Sequence, residues 1–123
     1  MTQTKTTSVL DPRKFRDPDL TADGDERAHV RLTKLDTLWF NTGTLCNLEC
    51  VTCYIESSPR NDRLVHLTAD AVAYYLDEIE SENWETREIG FTGGEPFMNP
   101  DIIPMMEDSL RRGFEVLVLT NAM

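Results

Sequence analysis

The cysteines of this 123-residue chain all fall in one short stretch, Cys46-Asn47-Leu48-Glu49-Cys50-Val51-Thr52-Cys53-Tyr54, where Cys46, Cys50 and Cys53 are spaced C-x3-C-x2-C. Three is an odd number, and thiols this close in sequence are poor disulfide partners. They are good soft ligands, of the kind that select zinc, copper(I) or iron–sulfur clusters. A structural zinc site closes four tetrahedral positions, and the motif supplies three. His29 or His66 would have to complete such a site, and His66, thirteen residues past Cys53, is at no recognised zinc spacing. Three inert buried thiols are a further alternative. A [4Fe–4S] cubane held by three cysteines keeps one iron free of protein ligands, and that open iron is the chemical point of the arrangement.

A second stretch capable of chemistry is Phe91-Thr92-Gly93-Gly94-Glu95-Pro96-Phe97-Met98-Asn99-Pro100-Asp101. Gly93 and Gly94 carry no Cβ, so backbone there can approach a ligand closely. Glu95 adds a carboxylate. The plainer alternative is a strand-to-helix turn that uses glycine for its positive φ, with Pro96 ending the strand.

Both stretches follow strand-like runs. Thr37-Leu38-Trp39-Phe40-Asn41-Thr42 is rich in aromatic and β-favouring residues and leads through Gly43 to the cysteines. Glu88 to Thr92 is a second strand ending on the Gly-Gly turn, and Glu115 to Thr120 a third, nearly all apolar as in a parallel sheet covered on both faces. Between the first two, Thr68 is a helix N-cap, with Asp70 in the first turn and Val72, Tyr75, Leu76 and Ile79 as one apolar stripe. Between the second and third, a helix starting at Asp101 puts Pro104 in its first turn. Ile103, Met106 and Leu110 would form its apolar side and Gly113 its C-terminal cap. The order β-α-β-α-β implies a parallel α/β sheet. Upstream, residues 1–28 form a polar arm, expected to be extended or disordered or to pack loosely on the domain, with turn signals at Asp11-Pro12, Asp17-Pro18 and Asp23-Gly24. Val30, Leu32 and Leu35 hint at a short strand before the main fold over 29–123. The charged segment Arg60 to Arg63 reads as a solvated loop.

The net charge is −10, and all of the excess lies in residues 38–123, which hold fifteen acidic against five basic side chains. Such a surface argues against nonspecific binding to nucleic acid or to an anionic membrane. No apolar run approaches the roughly 20 residues of a membrane span, and no signal-peptide core is present at the N-terminus. A cytoplasmic protein with reduced thiols is the expectation.

The C-x3-C-x2-C motif followed by Tyr54, together with the downstream Gly93-Gly94-Glu95-Pro96 segment, resembles the radical S-adenosylmethionine (SAM) superfamily. The resemblance implies that Cys46, Cys50 and Cys53 hold a [4Fe–4S] cluster and that SAM chelates the open iron through its amino and carboxylate groups. Reduction would then cleave SAM to methionine and a 5′-deoxyadenosyl radical that abstracts hydrogen from a substrate. It implies that Gly93, Gly94, Glu95 and Pro96 receive the methionine amino group, that Tyr54 lies near adenine, and that Asn121 of the Thr120-Asn121 pair lies near the sugar. An electron donor such as flavodoxin or ferredoxin is implied as a partner. Two positions depart from the family pattern. Thr52 stands where an aromatic residue is common, and Ala122 where glycine is usual. Asn47 is expected to brace the loop by hydrogen bonding. The family's core is a partial TIM-type barrel of about six β/α units, so three strands correspond to its N-terminal half. A non-catalytic iron–sulfur or SAM-binding fragment is the alternative, and the substrate is not legible.

Overall fold

The structure is a computed structural model in which residues 11–14 and 16–123 are described; the rest of the arm, including the Asp11-Pro12 signal's upstream neighbours, lies outside the described residues. The chain divides into two units, Met1–Leu32 and Thr33–Met123. In the first, the Asp17 carboxylate accepts from the N–H groups of Asp19 and Leu20 at 2.8 and 2.9 Å. Thr21 N–H reaches Asp25 O at 2.8 Å, and Leu20 and Glu26 form an antiparallel bridge around Gly24, whose φ is +89°. The Asp-Pro and Asp-Gly pairs there are turns.

The short strand expected around Val30, Leu32 and Leu35 does not form. Val30 is 96% exposed, while Leu35 packs on the core of the second unit. Alternation over so few residues cannot hold a strand that has no neighbour to take up its N–H and C=O groups.

The second unit is built from β1 (Thr37–Asn41), α1 (Ala69–Ser81), β2 (Glu88–Thr92), a short 3-10 turn (Pro96–Met98), α2 (Ile102–Arg111) and β3 (Glu115–Val118). The strands form one parallel sheet in the order β1-β2-β3, with Trp39 opposite Gly90 and Gly90 opposite Leu117. Alternate residues Phe40, Ile89 and Phe91 point to one face. There they join Val72, Leu76 and Ile79 of α1 and Ile102 and Met105 of α2 in a single core. Both crossover helices therefore cover the same face. On the other face the Trp39 ring lies across β2, so close that a Cβ at Gly90 would fall 2.4 Å from it.

Helix α1 begins as its sequence dictates, with Thr68 Oγ1 accepting from Ala71 N–H. Its stripe is buried at Val72, Leu76 and Ile79, whereas Tyr75 lies at the margin with its ring 5.9 Å from that of Phe40. Gly113 ends α2 in the left-handed conformation at φ +91°, as a C-terminal cap requires.

Helix α2 corrects the sequence reading of its apolar side. The buried residues are Ile102, Met105 and Ser109, while Ile103 is 50% and Leu110 55% exposed. Met106 alone of the expected three packs against the core. The face was chosen by chemistry at three positions, but Ser109 is small enough to let the helix sit close, and its hydroxyl is satisfied by donating to Met105 O at 2.8 Å. Two strands also end early. Thr42 leaves β1 with its hydroxyl turned onto Thr92 O, and β3 ends at Val118, after which Leu119 N–H still reaches Phe91 O and the Thr120 hydroxyl turns to Glu95.

These burials set the expectation that Met105→Ala costs about 2–5 kcal/mol, while Ile103→Ala stays within about 1 kcal/mol. Urea unfolding of the two variants measures both, and equal costs would contradict the assigned face.

Candidate metal centre

Strand β1 delivers the chain into the cysteine loop, and the loop is closed on itself before it presents any sulfur. Leu45 and Ser58 form a parallel bridge, and Cys46 N–H donates to Ser58 O at 3.2 Å. Asn61 bonds back across the loop, its Nδ2 donating to Glu56 O at 2.9 Å and Ile55 O at 3.3 Å. Thr44 Oγ1 donates to Asn61 O and accepts from Leu64 N–H. Arg63, expected in a solvated loop, reaches Ile55 O at 3.2 Å and so belongs to the same closure. None of these staples carries a signature in the sequence. Asn61 follows the loop's Ser-Pro turn and looks like any turn asparagine.

Within the loop the three cysteines are free thiols: Cys46 buried, Cys53 partly so, Cys50 exposed. The Leu48 N–H points at Cys46 Sγ and the Ser57 N–H at Cys53 Sγ, each at 3.4 Å. The Ser57 N–H, then that of Ile55, hold the Cys53 thiol below its ordinary range against the opposing effect of burial. Glu49, Cys50, Val51, Cys53, Glu56 and Ser57 line a cavity of about 420 Å³. The Ser57 hydroxyl is buried there with no hydrogen-bond partner among the described residues. An orphaned donor beside two thiols is suited to an anionic sulfur or a bound group. Among the described residues no three His, Cys, Asp or Glu side chains converge as a metal-holding group. The donor set, three cysteines in one loop, nevertheless fits a thiophilic centre in number and type.

The glycine segment meets this loop directly. Gly94 N–H donates to Gly43 O at 2.8 Å and Glu95 N–H to Leu45 O at 2.9 Å. A Cβ on Gly94 would lie 2.2 Å from Leu45 O, and one on Gly93, at φ +141°, 2.7 Å from Gly43 O. What approaches these glycines so closely is the chain entering the cysteine loop. Pro96 is buried at the start of the 3-10 turn.

Glu95 is 5% exposed, and both its oxygens are occupied. Oε1 accepts from Phe97 N–H at 3.1 Å and Thr120 Oγ1 at 2.8 Å, and Oε2 from Asn121 N–H at 2.8 Å. Burial pushes its carboxyl up, but the donors at Asn121, Thr120 and Phe97 outweigh it and hold the group below the usual carboxylate range. Asn121 in turn donates from Nδ2 to Asn47 Oδ1 at 2.9 Å and lies 3.6 Å from Cys46 Sγ. Asn47 is thus a brace of the loop. Tyr54 is 80% exposed, on the surface.

Asn99, quoted in the motif but assigned nothing from sequence, is buried at the junction of the elements. Its Nδ2 donates to Thr42 O and Leu67 O at 2.9 and 2.8 Å, and its Oδ1 accepts from Asp101 N–H. Asp101 then accepts the Ala69 N–H at the start of α1. The Asn-x-Asp spacing was the available signal.

A family model, that of the Radical SAM superfamily, matches residues 40–123, more than half of the chain. No match is found among curated proteins.

Two outcomes follow from the geometry. Gly94→Ala forces backbone against backbone and is expected to cost about 1–3 kcal/mol, read by thermal or urea unfolding. Because the Glu95 carboxyl is depressed on folding, its stabilisation is present above the ordinary carboxylate range and is lost as pH falls through the folded value. Glu95→Gln therefore lowers stability at neutral pH and flattens the acid limb of a pH–stability curve, measured by urea unfolding from pH 7 to pH 3.

Proposed function

Because the chain belongs to the Radical SAM superfamily, we propose that it binds a [4Fe–4S] cluster through Cys46, Cys50 and Cys53. It would bind SAM beside that cluster and act as an enzyme cleaving SAM reductively to attack a substrate. Held by these three thiolates, such a cluster would leave room for SAM to bind beside it and would supply the electron for reductive cleavage of SAM to methionine and a 5′-deoxyadenosyl radical. The observation that carries the reading is the direct backbone join between the three-cysteine loop and the glycine segment, at Gly94 to Gly43 and Glu95 to Leu45.

The chain's own groups have separable tasks. The Ser57 backbone N–H stabilises the thiolate form of Cys53, and the Leu48 N–H is aimed at the sulfur of Cys46. Glu49 and Glu56, lining the same cavity as Cys50 and Cys53, add negative charge that favours a low reduction potential. Gly93, Gly94 and Pro96 shape the floor on which the methionine end of SAM would rest, and Tyr54 and Asn121 would border the adenosyl end. An electron donor of the flavodoxin or ferredoxin class would deliver the reducing electron, in a reducing compartment such as the cytoplasm, where free thiols persist.

Anaerobic reconstitution with iron and sulfide is expected to load about 4 irons per chain, with a loss of iron in each of Cys46→Ser, Cys50→Ser and Cys53→Ser. Dithionite and SAM then release 5′-deoxyadenosine. A protein that takes up only zinc, with its thiols intact and air excluded, would overturn the cluster. A loaded protein that binds SAM without releasing 5′-deoxyadenosine would instead be a binding module.

A further inference from the structure

The carboxylate of Glu95 is spent within the protein, and its partners lead to one sulfur. Oε2 holds the backbone N–H of Asn121 at 2.8 Å, and Oε1 holds the hydroxyl of Thr120 at 2.8 Å. The Thr120 oxygen also accepts from Ala122 N–H at 3.0 Å, which bends the chain after β3. The Asn121 side chain is then fixed in both its halves. Its Oδ1 accepts from Met123 N–H at 3.0 Å, so the amide nitrogen must face the other way. There, one hydrogen goes to Asn47 Oδ1 at 2.9 Å and the second is directed at Cys46 Sγ, 3.6 Å away. Cys46 is the buried cysteine, and a second donor, Leu48 N–H, lies 3.4 Å from the same sulfur.

We infer that Glu95 is a positioning residue for the metal centre: through Thr120 and Asn121 it holds an amide donor on the sulfur of Cys46 and thereby raises the reduction potential of the cluster bound there. The inference rests on the cluster reading above. Its physical basis is that a hydrogen bond to a ligating sulfur withdraws electron density and stabilises the more negative, reduced cluster. A carboxylate suits the task because it accepts from several donors at once and each such bond is charge-assisted. A neutral Gln has one oxygen and turns an NH2 toward one of the donors it should receive. If Glu95 served only to cap the Pro96–Met98 turn, its bond to Phe97 N–H would suffice, and Asn121 would have no bearing on its effect.

The test is a redox titration of the reconstituted cluster, followed by electron paramagnetic resonance, in the parent protein, Asn121→Leu, Glu95→Gln and the double variant. Asn121→Leu is expected to shift the potential negative by on the order of a tenfold change in the reduction equilibrium, about 59 mV for one electron. In the parent, Glu95→Gln combines two opposed effects: removal of a negative charge raises the potential, and release of Asn121 lowers it. In the Asn121→Leu background only the first remains, so the same substitution there moves the potential further upward. Thr120→Val keeps the charge and the side-chain shape. It is expected to shift the potential negative in the parent and to leave it unmoved in the Asn121→Leu background, and it serves should Glu95→Gln not fold. Equal shifts in both backgrounds, or an unmoved potential in Asn121→Leu, would overturn the relay while leaving the cluster in place. A parent protein that takes up no iron overturns the cluster reading, and this inference with it.

Discussion

The contact on which the site depends is a close approach of two stretches of backbone. Where β1 and β2 end side by side, Gly93 and Gly94 lie against residues 43–45 at distances no side chain would allow, with Gly94 N–H on Gly43 O and Glu95 N–H on Leu45 O. Parallel strands carry their chain ends to the same edge of the sheet, so the loops that follow them are neighbours by construction. Glycine converts that neighbourhood into direct hydrogen bonding. The cysteine loop is therefore rooted in the glycine segment before any ligand is considered, and a change at Gly94 would be felt at Cys46 one residue past its contact.

Around this junction, buried polar side chains do what a hydrophobic core cannot, because they fix direction as well as distance. Asn99 binds Thr42, Leu67 and Asp101 together, and Asp101 adds the first N–H of α1. Glu95 does the same for the segment after β3. Each is nearly or fully satisfied, which is the condition under which a buried polar group is tolerated. The apolar core of Phe40, Ile89, Phe91 and the two helices lies on one face of the sheet and supplies cohesion. The polar junction at the strand ends fixes how the cysteine loop, the glycine segment and the chain after β3 meet.

The βαβαβ order, the Thr68 cap, the Gly113 terminus and most of the α1 stripe were legible because each is a local rule: periodicity, one capping hydroxyl, one positive φ. The face of α2 was misread because burial at Ser109 is decided by how closely a helix lies on its sheet, which no hydropathy pattern records. The supposed strand near Val30 failed for a related reason, since a strand exists only where another strand can bond to it. In the candidate site the cysteines and glycines stand out by type and spacing. The staples Thr44, Asn61 and Asn99 do not, because a polar residue in a loop looks the same whether it is solvated or buried.

The sequence by itself determined the chemistry on offer, three soft ligands and a glycine turn, and the parallel α/β frame that brings them to one edge, because composition and period are local properties of the chain. Only the tertiary structure decided that the Glu95 carboxylate faces Thr120 and Asn121 and that Asn121 reaches Cys46. These residues are about 25 and 75 positions apart, and hydrogen bonds over such separations exist only after the sheet has closed the distance.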